Sequence, residues 1–187
     1  AVVHGHRFAR EIERVSGERL GITAQDRLFA SSRLFFSYPQ TNSLWAGLKL
    51  GATLVLDPQW PTAQTVAATV AAARPTVLFS VPSLYRLMLH EGQAPGLAAA
   101  GVRLCVSAGE ALPSEIGERF SAHFGCEIVD GLGSTEMLHI FLSNRPGDVQ
   151  YGSTGKVVPG YRLKLVNEDG VDAAPGEIGD LYVSGPS

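Results

Sequence analysis

Residues 129–137 read Val129-Asp130-Gly131-Leu132-Gly133-Ser134-Thr135-Glu136-Met137, a stretch whose residue types suit a nucleotide phosphate. Glycines at 131 and 133 permit a positive φ and let a ligand approach without Cβ atoms in the way. Ser134 and Thr135 can donate to phosphate oxygens, and Glu136 can hold a hard cation such as Mg2+. The same spacing also suits a plain glycine-rich connection with a helix-capping hydroxyl and a solvated carboxylate, so spacing alone leaves both readings open. Two stronger fingerprints are excluded. A dinucleotide loop would need glycine at 136, and a Walker A loop would need Ser or Thr at 157, where Val157 follows Gly155-Lys156.

Other residues with chemical potential are weaker. His4 and His6 have the spacing of a metal pair, but two ligands do not complete a site, and His4 is read as structural. Cys105 and Cys126 stand alone in apolar runs, which favours buried free thiols of a reducing cytoplasm over a disulfide or a metal pair. Trp45, Trp60 and the Leu84/Leu87/Met88 stripe are read as core.

Residues 130–144, Asp130-Gly131-Leu132-Gly133-Ser134-Thr135-Glu136-Met137-Leu138-His139-Ile140-Phe141-Leu142-Ser143-Asn144, resemble the Gly-x-Thr-Glu core motif of the adenylate-forming enzymes (acyl-CoA synthetases, adenylation domains, luciferases). The Ser-Thr-Glu-Met-Leu-His-Ile form is most similar to benzoate-CoA ligases and related aryl-CoA ligases. Three further segments agree, in the family's order. Val2-Val3-His4-Gly5-His6 resembles the segment after its phosphate loop, and Ser107-Ala108-Gly109-Glu110-Ala111-Leu112-Pro113 resembles its adenine-binding turn. Gly176-Glu177-Ile178-Gly179-Asp180-Leu181-Tyr182-Val183-Ser184-Gly185 resembles its Gly-Glu-(Leu/Ile) strand. The four motifs span nearly the whole chain.

The resemblance implies a two-step reaction using ATP, Mg2+ and coenzyme A. An aromatic carboxylate attacks the ATP α-phosphate to give acyl-AMP, and CoA thiol then displaces AMP. Thr135 would hold an α-phosphate oxygen and Glu136 the Mg2+. Gly109, Glu110 and Ala111 would stack on adenine, with Asp130 near its amino group, and Gly131, Leu132, Gly133 and Ser134 would complete the nucleotide surface. Ser37, Tyr38, Ala108, Gly133, His139 and Ile140 match positions that line the aryl pocket, and Tyr38 and Ile140 would sandwich the ring. His139 would donate to the carboxylate or to a ring substituent. After Tyr38 the chain reads Pro39-Gln40-Thr41-Asn42 where benzoate ligases tend to carry glycines, so a hydroxy- or aminobenzoate suits as well as benzoate. The family's phosphate loop would precede Ala1, and its ribose-binding Asp, hinge and C-terminal lysine would follow Ser187. The 187 residues are therefore expected to be the central part of a longer enzyme, inactive alone. Two rivals share the motifs: an aryl-acid adenylation domain that loads a carrier-protein thiol, and a nucleotide-binding module without catalysis.

The elements that must position these residues follow from pattern. Residues 6–20 read as an amphipathic helix ended by Gly21, and 42–49 as a short helix. Pro61 opens an uncharged, Ala-rich helix to Ala73 that, lacking a polar face, is expected to be buried on most sides. Further helices begin at Pro82 and Pro113, and a small-residue loop covers 93–101. Apolar runs at 28–30, 53–56, 76–81, 102–106 and 127–129 alternate with the helices. The fold class is α/β, a mostly parallel sheet with helices on both faces. Ligands in such sheets sit outside the carboxyl ends of strands, where both glycine segments fall. Beyond residue 144 the texture changes to Pro, Gly and alternating strands, read as antiparallel β-hairpin material of a small barrel subdomain. The expected division is 1–149, an α/β nucleotide- and aryl-binding subdomain, and 150–187, a partial β-barrel subdomain.

Composition fits this. The chain is 45% hydrophobic and 18% charged, which a disordered segment would not be. A net charge of −3 with scattered Lys and Arg leaves no footprint for nucleic acid. No apolar window reaches the roughly 20 residues of a membrane span, and a cytoplasmic location is expected.

Overall fold

The computed structural model describes residues 2–92 and 99–187, so residues 93–98 of the expected small-residue loop lie outside the described residues. Its centre is a sheet of β1 (Arg27–Ala30), β2 (Thr53–Val55), β3 (Val77–Ser80), β4 (Leu104–Ser107), β5 (Ile128–Gly133), β6 (Ile140–Ser143) and β7 (Lys156–Val157). The spatial order is β2-β1-β3-β4-β5-β6-β7; the first five are parallel, and β6 and β7 add antiparallel strands.

Strand side chains point alternately to opposite faces, so continuous apolar runs feed two cores. Phe29, Leu78, Cys105 and Ile128 fall in register across four strands and enter one core. Their neighbours Leu28, Val77, Phe79, Leu104, Val106 and Val129 enter the other. The first core is covered by α3 (Ala63–Ala73), α4 (Pro82–His90) and α5 (Ser114–Phe124), through Val66, Val70, Tyr85, Met88, Phe120 and Phe124. The second is covered by α1, residues 8–19, and α2, residues 37–50, through Ile12, Val15 and Ala46. Both of these helices contain π-helical stretches, Glu13–Arg19 and Gln40–Trp45.

β8 (Arg162–Val166) and β9 (Asp180–Ser184) form a separate antiparallel hairpin. The mixed, mostly parallel sheet with helices on both faces and a following hairpin is the fold class expected from the pattern. Residues 156 and 157 pair with the large sheet rather than with the hairpin.

Four local expectations need correction. The strand expected at 127–129 runs on to Gly133, because residues 131–133 pair with β6; the glycine motif is thus half strand, half turn. The short helix expected at 42–49 begins earlier, at Ser37, so that Pro39 and Asn42 fall in the first turns of α2. The Ala-rich α3 buries only Ala63, Val66 and Val70, since its Ala, Thr and Gln side chains lose little by facing water. Trp60, Trp45 and Leu87 are 71%, 37% and 39% exposed, so they are not core, whereas Leu84 and Met88 are. Cys105 and Cys126 are free and buried with Sγ atoms 3.9 Å apart, as expected of thiols.

Candidate functional site

A cavity of about 320 Å3 opens where four adjacent parallel strands end. Ser32 follows β1, Val81 follows β3, Ala108, Gly109 and Glu110 follow β4, Gly133 ends β5, and Ser134 and Thr135 follow it. The amino-terminal turns of α2 close one side with Ser37, Tyr38, Pro39 and Asn42, and the turn into β6 supplies Leu138, His139 and Ile140. The volume is within the range of small-molecule sites.

Backbone demands explain the glycines here. Gly109 has φ +92, a left-handed conformation that other residues rarely adopt. A Cβ on Gly133 would lie 2.6 Å from the His139 carbonyl, because the register shift at Leu132/Gly133 presses the β5–β6 turn together. Leu138 in that turn also has a positive φ, 59°, and the Thr41 hydroxyl donates to its carbonyl at 3.0 Å.

The rim is polar. The Ser37 and Thr135 hydroxyls are 3.2 Å apart, and the Thr135 carbonyl accepts from His4 Nε2 at 2.7 Å. That bond gives His4 the structural role expected of it. The Glu110 carboxylate accepts from the Ser83 backbone N–H at 3.0 Å and the Ser83 hydroxyl at 2.9 Å, so it is tied to the first turn of α4. Glu136 is fully exposed beside Thr135; hydrogen bonds from its own backbone and from the Ser134 hydroxyl hold its carboxyl below the usual range.

The floor is buried. The Tyr38 ring meets Phe79 edge-on, and its hydroxyl donates to the Val106 carbonyl at 2.9 Å, leaving only the ring face for a ligand. His139 is 2% exposed, and its Nδ1 accepts from the Ile140 N–H at 2.7 Å. Burial pushes its pKa down to about 3, so the ring is neutral with its proton on Nε2.

Of the residues expected from sequence, Ser37, Tyr38, Ala108, Gly109, Glu110, Gly133, Ser134, Thr135, His139 and Ile140 meet at this one cavity. Ala111, Asp130, Gly131, Leu132 and Glu136 do not line it. Asp130 and Gly131 are buried within β5, while Leu132 is 36% exposed. Burial raises the Asp130 carboxyl to about 6, and its Oδ1 has no hydrogen-bond partner. Ser32, Phe36, Pro39, Asn42, Val81 and Leu138 complete the wall and were not singled out as site residues. Val81 was findable, since it follows a parallel strand as Ala108 does. Asn42 and Pro39 carried no such signal, because their place depends on where α2 begins.

Comparison with known proteins gives one direction. The family model described as AMP-binding enzyme matches residues 1–187. The chain is 48% identical over 169 residues to a benzoate–CoA ligase of Thauera aromatica, covering 90% of this chain and 32% of that one. The solved benzoate CoA ligase from Burkholderia xenovorans LB400 superposes with a TM-score of 0.92 at 50% identity, over 99% of this chain and 38% of that one. The anthranilate CoA ligase AuaEII, solved in complex with anthranoyl-AMP, gives 0.90 at 36% identity, over 98% and 36%. The chain thus spans about a third of the length of the curated relatives it matches.

Proposed function

The chain belongs to the family of AMP-binding enzymes, and from that membership we propose that it forms the acid- and nucleotide-binding centre of an ATP-dependent aryl-CoA ligase. The protein carrying it activates a benzoate-type acid as acyl-AMP and passes the acyl group to CoA. One observation supports this best: the Gly109-Glu110 and Gly133-Ser134-Thr135 strand ends share a cavity with a wall of Tyr38, Ala108 and Ile140. Names of similar proteins agree, being benzoate– and anthranilate–CoA ligases.

The chemistry needs no protein nucleophile. Catalysis rests on orienting two anions and offsetting charge at phosphorus. In this reading Thr135, with Ser37 and Ser134 beside it, donates to an α-phosphate oxygen at the rim. The bare backbone of Gly109 gives adenine a flat place next to Glu110, whose tether to Ser83 keeps it from swinging across the opening. Ala111 and Leu132 belong to the same strand ends and extend the nucleotide surface, while Asp130 and Gly131, buried in β5, support it from beneath. The acid's ring lies between Tyr38 and Ile140, in the space that small residues leave at 108 and 133.

Among the described residues no cluster of three or more His, Cys, Asp or Glu side chains forms a cation site. A single exposed carboxylate suits Mg2+, which takes most of its ligands from phosphate and water, so Glu136 fits as one protein ligand. When bound, the ion supplies charge neutralisation for the phosphates.

The proposal extends to a division at residues 149/150 between an α/β subdomain and a partial β-barrel subdomain. It also places the protein in the cytoplasm, consistent with the free thiols of Cys105 and Cys126. No helix among the described residues is long and apolar enough to cross a membrane. The direct test is hydroxamate formation by the full-length protein with ATP and substituted benzoates. Turnover with aromatic but not short aliphatic acids is expected; the reverse preference would reject the aryl reading.

A further inference from the structure

β6 runs away from the cavity described above, which Ile140 lines, towards a second cavity of about 60 Å3 at its far end. The two share no lining residue. Ser143 ends β6 and Lys156 starts β7, and both line the smaller cavity. Arg19, the last residue of α1, lines it too, together with Arg145 and Asp148 from the chain that follows β6.

Arg19 is only 8% exposed, yet among the described residues it forms no salt bridge. Its Nη2 donates to the Ser143 and Lys156 carbonyls, which joins α1 to β6 and β7. Neutral carbonyls hold the guanidinium in place but leave its charge uncancelled. A buried carboxylate or amine can shed its charge by changing protonation; an arginine cannot. The surroundings do not make up the difference. Burial and then the nearby Arg145 act against the Arg19 cation, and Asp148 offsets only part of this. Asp148 is also committed to Lys156, with Oδ2 and Nζ 3.2 Å apart. Arg19, Arg145 and Lys156 thus face one carboxylate, an excess of two positive charges in a chain whose net charge is −3.

We infer that this second cavity binds a small tetrahedral dianion, phosphate or sulfate, between Arg19 and Arg145. Its charge matches the excess, since a phosphate group carries about −1.5 to −2 at pH 7. Its size matches as well. A water needs roughly 10–15 Å3, so the cavity has room for one such ion and none for a nucleoside attached to it. Guanidinium groups suit its oxygens because their N–H donors lie in a planar fork. The Ser153 hydroxyl on the same wall accepts from the Gly155 N–H at 3.1 Å and keeps its own hydrogen to donate. Once bound, the ion adds a charged link between α1 and the β6–β7 pair. Nothing in this depends on which acid or nucleotide the first cavity takes.

The test is calorimetric titration of the full-length protein, in chloride buffer, with sodium phosphate and separately with sodium sulfate. Binding with a Kd of about 1 mM or tighter is expected. If one anion alone binds, it is the ligand. Arg145→Gln, at an exposed position, should weaken binding about 10-fold or more, as the loss of a charge-assisted hydrogen bond does. The same variant should form hydroxamate at the wild-type rate, because Arg145 lies outside the first cavity. Selenate soaked into crystals of the wild type should give an anomalous peak between Arg19 and Arg145. Binding of neither anion overturns the inference. So does binding that Arg145→Gln leaves unchanged, which would put the ion elsewhere on the protein. A selenate peak with no effect of Arg145→Gln in solution marks an adventitious ion only and overturns it equally. Arg19→Gln should abolish binding; if that variant does not fold, Arg145→Gln decides.

Discussion

The two ends of the parallel sheet treat buried polar groups in opposite ways. At the amino ends, Asp26 before β1 is 4% exposed and fully partnered. It accepts from Arg103 Nε at 2.9 Å and Nη2 at 2.7 Å, from the Thr76 hydroxyl at 2.6 Å and from the Thr23 N–H at 2.9 Å. Burial opposes its charge, yet these bonds outweigh it and hold the carboxyl at about 2. At the carboxyl ends, Asp130 is equally buried, but its Oδ1, Ser107 Oγ, Asn42 Oδ1 and His139 Nε2 all lack partners, and its pKa rises to about 6. One end ties three strands together through satisfied bonds. The other keeps unsatisfied groups where a ligand is proposed to bind, as a sheet with its site at the carboxyl edge should.

The largest effect expected from this contrast is catalytic. Glu136→Gln in the full-length protein should lower adenylate formation at least about 100-fold, because it removes the carboxylate proposed to hold Mg2+ at the phosphates. Its denaturation midpoint should stay within experimental error, since the side chain is fully exposed. Near-normal turnover would take Glu136 out of the site. The converse change lies at the amino ends. Asp26→Asn should destabilise by about 2 kcal/mol at pH 7, a value reduced from that of a fully buried pair because Arg103 is 42% exposed. A depressed pKa means this contribution is present above the unfolded value near 4 and is lost as pH falls through about 2. KM values should not move. Equal stability of wild type and variant at pH 7 would show that the amino-end network is not a clamp.

How much of this was legible follows from the range of the interactions involved. The strand runs, the helices and both glycine segments are written in local residue order, whereas the aryl-pocket positions at 37, 38, 108, 139 and 140 came from the family resemblance; ten of the expected residues line one cavity. The extent of β5 was not legible, because residues 131–133 become strand only by pairing with β6. Nor was the start of α2, which the pattern put at residue 42 and the structure puts at Ser37, so that Pro39 joins the helical wall. The exposure of Trp60 and Trp45 was misread because apolarity says nothing of which elements surround a side chain. The Asp26–Thr76–Arg103 network was missed altogether. Its three residues are up to 77 positions apart and meet only through strand order.

A smaller effect tests the carboxyl end directly. The raised Asp130 pKa means the folded state holds a proton that the unfolded chain has released between about pH 4 and 6. Its contribution is full below about 4 and is lost as pH rises through about 6. Asp130→Asn should flatten that slope and raise stability at pH 7 by about 1–2 kcal/mol, measured by urea midpoints across pH 4–8. A destabilised variant would mean the charged carboxylate is supported in the fold.

The smallest predicted difference separates the two ends most cleanly, because it compares two hydroxyls that differ only in whether they are used. Thr76 lies just before β3 and donates to Asp26, while also accepting from the Arg27 N–H at 3.0 Å. Ser107, at the end of β4, is 0% exposed; its Oγ lies near enough to Asp130 to ease the charge but makes no hydrogen bond of good geometry. Thr76→Val keeps the shape and removes two bonds, one to a charged group, and should cost about 1–2 kcal/mol. Ser107→Ala removes a hydroxyl that was already paying for its burial without a partner, and should be neutral or stabilising by up to about 1 kcal/mol. The sign of the difference matters more than its size. If Ser107→Ala costs as much as Thr76→Val, the carboxyl-end hydroxyl is satisfied in the folded protein, and the sheet does not divide into a tied end and an open one.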